Sequence, residues 1–279
     1  MNFVNPAAVR PYPLASCFRL GVGLLLTPVA VLIAARVMPH VQLGEMPANV
    51  TAFAGATVFP ILGLSLAAIV EPRWALAFVA ALLAAAVLVA VSALRPAPLV
   101  TVAWVDGALV CLSWALGCSL GRRVQHAAHL LPACVVVASA DLVSVLSPEG
   151  PSHAIAGSDR ALSVLALWFP VPGGSAVAPA LGAGDLLFMA LVFGVARAHG
   201  LPYARCVVAC AVGTALAGLA AAWTRVAVPA LLPIAATLVL ALPPIRKLRR
   251  SDRRAAHWSM LVASTLALAC VLRSLLNGR

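Results

Sequence analysis

Long apolar stretches, interrupted by short polar breaks, run through the whole chain. A helix needs about 20 apolar residues to cross the ~30 Å hydrocarbon core of a bilayer. The stretches of this kind cover residues 20–35, 51–70, 74–94, 99–118, 127–146, 177–196, 203–223, 226–245 and 256–276. Proline, glycine and arginine lie at most of the breaks between them, as is typical of helix boundaries. The pattern therefore predicts an all-α fold, a polytopic transmembrane helix bundle of about nine spans.

The connection between the fifth and sixth stretches has a different pattern. Residues 148–176 contain four prolines and an adjacent pair of glycines around a short apolar stretch, 161–169. This stretch is too short to cross a bilayer. It predicts a short interfacial or re-entrant helix, with Trp168 near the lipid headgroups. The connection is interpreted either as a lid over a site or as an ordinary connector.

The composition excludes a soluble domain. Hydrophobic residues make up 63% of the 279 residues and charged residues only 10%, whereas soluble domains have about 45–50% and about 25%. Disorder is excluded as well, because it requires low hydrophobicity. We expect an integral, multi-pass protein of a membrane, and the heavy use of alanine with a single lysine among 19 basic residues favours a prokaryotic cytoplasmic membrane.

The net charge of +11 fits loops that face anionic lipid better than a surface for nucleic acid, and no nucleic-acid partner is expected. Nine spans with a cytoplasmic N-terminus place 13 of the 19 basic residues on the cytoplasmic side, six of them within residues 246–254. This orientation follows the rule that basic loops stay inside. It also places the 148–176 connection on the opposite side.

Cysteine and histidine give no strong signal for a metal site or a cofactor. The seven cysteines lie in or beside apolar stretches and form no CxxC pair, which predicts packing residues rather than a disulfide or zinc framework. His126 and His129 are spaced as a metal pair would be, but an interfacial helix face is the stronger interpretation. We therefore expect no metal and no cofactor.

Three of the eight acidic residues, Asp106, Asp141 and Asp185, lie inside apolar stretches. A carboxylate at the centre of a membrane helix costs about 2.5–3.5 kcal/mol on insertion scales, so each is a candidate functional residue. The alternative is a neutral acid that is hydrogen-bonded across helices. For Asp106, both interpretations stay open.

Asp141 and Asp185 lie near the stretch ends that flank the same connection. Because neighbouring elements tend to pack together, we expect the two side chains at similar depth and facing each other. Two carboxyl groups in contact in a low-dielectric site share one proton. Such a pair suits peptide hydrolysis, since one group accepts a proton from water while the other hydrogen-bonds the scissile carbonyl. Which acid has which role stays open.

Two further segments carry small or helix-breaking residues. Gly182 and Gly184 precede Asp185 and allow a helix or a substrate backbone to approach closely; an ordinary small-residue helix contact is the alternative. Pro229 and Pro233 open an apolar stretch. They predict irregular backbone that frames a site, with an ordinary proline at a helix start as the alternative.

Together these motifs resemble, in order along the chain, those of the presenilin and signal-peptide-peptidase group of intramembrane aspartyl proteases. The similar segments are Asp-Leu-Val-Ser-Val-Leu-Ser-Pro-Glu-Gly-Pro at 141–151, Gly-Ala-Gly-Asp at 182–185 (the GxGD motif) and Pro-Ala-Leu at 229–231 (the PAL motif). The resemblance covers residues 138–245. It implies that Asp141 and Asp185 are the catalytic pair. It implies that Gly182 and Gly184 shape the site. It also implies that Pro229, Ala230 and Leu231 line the site and help to seat the substrate.

The resemblance also implies the partners and the division of the chain. The substrates would be transmembrane helices of other membrane proteins, cleaved within the lipid bilayer, with or without accessory subunits. Residues 1–126 would be a scaffold of transmembrane helices, and residues 127–245 the catalytic core. Residues 246–279 would form a basic loop and a C-terminal transmembrane helix.

The chain departs from that group at several points. Ala140 stands where the group usually has tyrosine. Four stretches precede the first Asp stretch instead of five, and one extra stretch follows the PAL segment. The short connection between the two acids argues against self-cleavage.

Two alternatives to this function remain. A prepilin-peptidase-like protease shares the two acids and the GxGD motif, but it usually has a basic residue where this chain has Leu187. A proton- or cation-coupled transporter, or a membrane scaffold without enzymatic activity, is the alternative from another class; in a transporter the same acids would bind protons or cations.

Overall fold

The computed structural model describes residues 14–70, 74–93, 99–147, 150–173, 176–224, 228–248 and 250–277. Helices account for most of these residues, and one two-stranded hairpin interrupts them. Several positions named above, including Pro148, Glu149, Gly174 and residues 226–227, lie outside the described part of the chain.

Each predicted apolar stretch contains a helix. The helices are α1 (Leu14–Val37), α2 (Glu45–Ala67), α3 (Trp74–Ala93), α4 (Leu99–Ser113), α5 (Ser119–Arg123), α6 (Leu130–Leu146), α7 (Pro151–Ala156), α8 (Asp159–Leu165), α9 (Ala183–Ala198), α10 (Tyr203–Thr224), α11 (Leu231–Ala241) and α12 (Arg250–Asn277). A π-helical turn, Trp114–Cys118, joins α4 to α5. Short 3-10 turns lie at Met38–His40, Ala127–His129 and Pro243–Arg246.

Six segments of helix are long and apolar enough to cross a membrane, so the helical bundle and its membrane character agree with the sequence. These segments are Ala15–His40, Met46–Ala67, Thr101–Arg123, Ala127–Leu146, Tyr203–Thr224 and Arg250–Arg273. Two further apolar helices are shorter: Leu76–Ala90, within α3, and Leu231–Ala241, which is α11. Large apolar side chains such as Leu83, Trp104 and Leu266 are exposed on the outer surface, as contact with lipid requires.

Helix α9 lies at the centre of the bundle. Its residues from Leu186 to Ala196 are almost all buried. The π-helical turn and α5 pack closely against it, because glycines remove side chains at the crossing. A Cβ atom on Gly117 would lie 2.6 Å from Leu187 O, and one on Gly194 would lie 2.7 Å from Cys118 O. The crossing therefore requires glycine at both positions.

The connection 148–176 is not the single short helix that the sequence predicts. Helix α8 ends at Leu165, and Ala166–Pro170 forms strand β1. β1 pairs antiparallel with β2, Val177–Gly182. The prediction of a helical span over residues 177–196 was wrong in its first part, since residues 177–182 are strand and the helix begins only at Ala183. Both strands are short and β-branched residues are few, so periodicity does not separate them from helix.

The last two predicted spans also differ from the structure. Helix α11 contains 11 residues, and it ends before Pro243 and Pro244, which cannot continue it. Helix α12 begins at Arg250, so part of the predicted basic loop forms the first turns of the C-terminal helix. The seven cysteines are free thiols, and four of them are buried.

Candidate active site

A cavity of about 820 Å³ lies between α6, α10, the hairpin and the first turns of α9 and α11. Both Asp141 and Asp185 line it, so the structure brings together the two acids that the sequence pairs. Four of the other five predicted site residues line the same cavity: Gly182, Gly184, Ala230 and Leu231. Pro229 is half-buried and is not among the lining residues.

Asp185 is held by the start of its own helix. It is the third residue of α9, and its Oδ2 accepts a hydrogen bond of 3.0 Å from the backbone N–H of Gly182. Gly182 is the extended N-cap residue, with φ −79° and ψ 154°. An acid in the first turn satisfies one of the free N–H groups there and interacts favourably with the helix dipole. The local sequence Gly-Ala-Gly-Asp is therefore sufficient to orient this carboxyl group.

Asp141 is held by a distant part of the chain. Its Oδ2 accepts a hydrogen bond of 2.9 Å from the backbone N–H of Leu231, which lies 90 residues further on. Leu231 is the first residue of α11, so its N–H has no partner within the helix. The carboxyl group of Asp141 thus caps the helix that follows the PAL segment.

The two acids share a predominantly apolar environment. Both carboxyl groups line the same cavity. Among the side chains that line the cavity, the other polar ones are the hydroxyls of Ser144 and Ser152. Each acid faces the N-terminus of a helix, where partial positive charge favours an anion. The arrangement suits one negative charge and one proton shared between the two carboxyl groups.

The two glycines have different surroundings. A Cβ atom on Gly184 would meet no heavy atom within 4 Å, so this glycine borders open space rather than a neighbouring helix. A Cβ atom on Gly182 would lie 3.3 Å from Oδ2 of Asp185 and would crowd the carboxyl group. Gly182 therefore keeps space for the acid, and Gly184 keeps space in the cavity.

The PAL segment is not helical until its last residue. Residues 228–230 precede α11, and the helix begins at Leu231. The sequence prediction of irregular backbone near Pro229 agrees with this geometry. Pro233 is the third residue of α11, where a missing N–H costs no intrahelical hydrogen bond.

The hairpin forms one wall of the cavity. Residues Pro179 to Gly182 of β2 line it, and β2 leads directly into α9. The two-stranded sheet pairs β2 with β1 along one edge. Within the described residues the opposite edge of β2 has no partner strand, so it offers backbone groups to an extended peptide.

Helices α7 and α8 cover the cavity from the side of the connection. Pro151, Ser152 and Ile155 of α7 line it. The hydroxyls of Ser144 and Ser152 are 2.7 Å apart, and the N–H of Ser152 donates to Ser144 Oγ at 3.0 Å. This pair attaches α7 to the last turn of α6, one turn from Asp141.

Asp106, which the sequence left undecided, lies outside the cavity. It is 1% exposed, and its Oδ1 accepts a hydrogen bond of 3.1 Å from the backbone N–H of Trp168 in β1. Its Oδ2 is buried without a hydrogen-bond partner. Nothing in the sequence near Asp106 indicates this contact, because it depends on where the hairpin folds.

His126 and His129 each make a hydrogen bond within the chain. His129 Nε2 lies 3.1 Å from Asp252 Oδ2 and connects the start of α6 to the start of α12. His126 Nδ1 accepts a hydrogen bond from the N–H of Ala128. Within the part of the chain that the structure describes, no three metal-binding side chains are grouped together.

Comparison of the chain with protein-family models, with curated proteins and with solved structures gives no match. The resemblance to the presenilin and signal-peptide-peptidase group therefore depends on the three motifs and on the site that they form.

Proposed function

We propose that this protein is an intramembrane aspartyl protease that hydrolyses peptide bonds within transmembrane segments of other membrane proteins. The observation that carries the proposal is the single cavity into which Asp141 and Asp185 both open. A cavity with two acids and otherwise mainly apolar walls suits an apolar peptide and one activated water.

In the proposed mechanism, the two carboxyl groups hold a water between them. The ionised carboxylate accepts a proton from the water as its oxygen attacks the scissile carbonyl carbon. The protonated carboxyl group donates a hydrogen bond to the carbonyl oxygen and stabilises the developing negative charge. Because the hydrogen bonds from Gly182 and Leu231 both end on Oδ2 atoms, Oδ1 of each acid is available for the water and the substrate.

A substrate helix must unwind before it is cleaved, because its carbonyls are occupied by i→i−4 hydrogen bonds. The unpaired edge of β2 supplies replacement partners for an extended segment, as in β-strand addition. The resemblance implies that the substrate is seated at residues 229–231. The N–H of Leu231 already donates to Asp141 and that of Gly182 to Asp185, and Pro179 has no N–H, so β2 offers mainly its carbonyl oxygens to such a segment.

The proposed enzyme has nine membrane helices, α1 to α4 with α5, α6, and α9 to α12. Helix α9, with 16 residues, is about 24 Å long and reaches most of the way across a hydrocarbon core. Helix α11 begins inside the membrane, where non-helical residues 228–230 are tolerated because Val228 and Ala230 border the cavity. With a cytoplasmic N-terminus, the connection 148–176 lies on the outer side, which favours substrates in a type II orientation.

The test is a cleavage assay with purified protein in detergent and a model single-pass substrate. Wild type is compared with Asp141→Ala and Asp185→Ala, with and without a transition-state-mimicking aspartyl protease inhibitor. We expect cleavage by wild type, inhibition by the compound, and no cleavage by either variant. Asp159→Ala, which replaces an exposed acid of α8, is the control and should cleave as wild type does.

Cleavage that persists in both variants contradicts the proposal. The transporter alternative is separated by a second assay, in which the protein is placed in vesicles and proton or cation uptake is measured. Uptake that depends on Asp141 or Asp185, together with absence of cleavage, would establish transport instead.

A further inference from the structure

The hairpin beside the cavity contains a β-bulge. Leu167 pairs with Leu181, but the next residue, Trp168, pairs with Pro179, so Ala180 is an extra residue on β2. A bulge bends its strand and leaves backbone groups outside the ladder. Ala180 lines the cavity, so the bulge lies in the wall next to the two acids.

Trp168 is the residue of β1 that lies opposite Pro179 at this bulge, and its N–H donates to an acceptor outside the sheet. That acceptor is Oδ1 of Asp106, on α4, at 3.1 Å. A buried N–H group without an acceptor is costly, so this contact holds β1 against α4 at the position of the bulge. The side chain of Trp168 is held separately, since its Nε1 donates to Leu162 O in α8.

Asp106 is an unusual choice for a simple acceptor. An amide or a hydroxyl would accept one hydrogen bond at lower cost inside an apolar bundle. Its second oxygen, Oδ2, is buried without a partner. A carboxyl group that is kept neutral accepts at Oδ1 and satisfies the N–H without placing a charge there.

We propose that Asp106 is a positioning residue of the protease, which fixes the bulge of the β1–β2 hairpin and so places β2 for the substrate strand. The inference rests on the proposed function. Asp106 does not line the cavity and does not touch substrate; it acts through Trp168, the bulge and β2. Since β2 ends at Gly182, whose N–H holds Asp185, loosening the hairpin also disturbs the start of α9.

The test compares Asp106→Asn, Asp106→Leu and the control Ser113→Ala in the full-length protein. Asparagine keeps the Oδ1 acceptor, whereas leucine has a similar shape and no acceptor. Ser113 is a buried polar residue on the same helix and is not placed at the hairpin or the cavity. Thermal unfolding and size-exclusion profiles establish that each variant is folded.

The first measurement is hydrogen exchange of the backbone amides in residues 166–182, which needs no activity. With leucine, we expect these amides to exchange at least about tenfold faster than in wild type, because the Trp168 N–H loses its acceptor. In Asp106→Asn and in Ser113→Ala, the same amides should exchange at rates within about threefold of wild type. Unchanged exchange in Asp106→Leu would overturn the proposal.

The second measurement is the kinetics of cleavage. We expect Asp106→Leu to lose about tenfold or more in kcat/KM, mainly through a higher KM, because the strand that receives the substrate is misplaced. Asp106→Asn should keep most of the wild-type kcat/KM. If asparagine loses as much as leucine, the acid acts through its proton or charge, and the positioning role is overturned; an equal loss in Ser113→Ala overturns it too.

The two proposals fail separately. Absence of cleavage by wild type removes the proposed function, but the exchange data still decide whether Asp106 holds the bulge. Normal cleavage kinetics in a folded Asp106→Leu protein reject the positioning role while the protease assignment stands.

Discussion

The two helices that carry the candidate catalytic acids differ in how deeply they are packed. Helix α9, with Asp185, buries nine of its 16 residues, whereas α6, with Asp141, buries three of its 17. α9 is central, and α6 lies at the periphery, where it contacts α11 and α12. Asp185 is thus fixed by a rigid helix and its own first turn, while Asp141 depends on one bond to Leu231.

This difference indicates where the geometry of the pair can vary. The position of Asp185 is determined by local sequence and by the core. The position of Asp141 changes whenever α6 moves relative to α11. In the proposed enzyme, substrate entry and lid movement therefore act on the Asp141 side of the cavity, and Asp185 serves as the fixed reference.

The largest expected effect comes from Asp141→Asn and Asp185→Asn. Asparagine still accepts the hydrogen bond from Leu231 or Gly182, but it cannot accept or donate the catalytic proton. Each variant should lose at least about 100-fold in kcat, with little change in thermal stability. By contrast, Asp185→Ala should lose about 1 kcal/mol of stability, because the cap of α9 is removed.

These variants are measured by the cleavage assay and by thermal unfolding in detergent. A large fall in the unfolding temperature of either asparagine variant would mean that the acid is primarily structural.

The second prediction compares a glycine in the packed core with a glycine at the cavity. Gly194→Ala should destabilise the protein by about 1–3 kcal/mol, because its Cβ atom would collide with the backbone of Cys118. Gly184→Ala should be neutral or stabilising by up to about 1 kcal/mol, since it lies in a helix beside open space. Thermal unfolding of both variants distinguishes them, and similar losses would contradict the open cavity at Gly184.

The third prediction concerns the bond that holds Asp141. Leu231→Pro removes the N–H donor at the first position of α11; because Ala230 before it is helical (φ −75°, ψ −29°), a conformation that a following proline disfavours, thermal unfolding must first show that the variant is folded. We expect about a tenfold loss in kcat/KM, since Asp141 loses its partner. Leu231→Ala keeps the N–H and is the matched control for the lost side chain. Equal losses in the two variants would show that only the side chain matters.

The smallest expected effect is at the attachment of α7 to α6. Ser152→Ala removes the hydroxyl contact with Ser144 but keeps the backbone N–H bond. If α7 must move for substrate to enter, kcat/KM should rise by about two- to threefold, the value of one weak hydrogen bond. Ser163→Ala, on α8, removes a hydroxyl that bonds only within its own helix and should change nothing. A loss of activity in Ser152→Ala would argue against a lid.

Much of the site could be predicted from local patterns. Asp185 is oriented by the Gly-Ala-Gly-Asp turn itself, and the irregular start of α11 follows from Pro229. The strands β1 and β2 could not be predicted, because a short apolar strand and a short apolar segment of helix have similar sequences. The hydrogen bond of Asp106 could not be predicted either, since its partner is the backbone N–H of Trp168, 62 residues away.

The sequence by itself determined that the chain forms apolar helices, where most of them lie, and which acids are buried among them, because these properties depend on hydrophobic patterning and local caps. Only the tertiary structure decided that Asp141 bonds to Leu231, that a hairpin forms a wall of the cavity, and that Asp106 accepts a hydrogen bond from Trp168. Those contacts join backbone groups far apart in the chain, and the need to satisfy buried N–H groups acts only after the helices have packed.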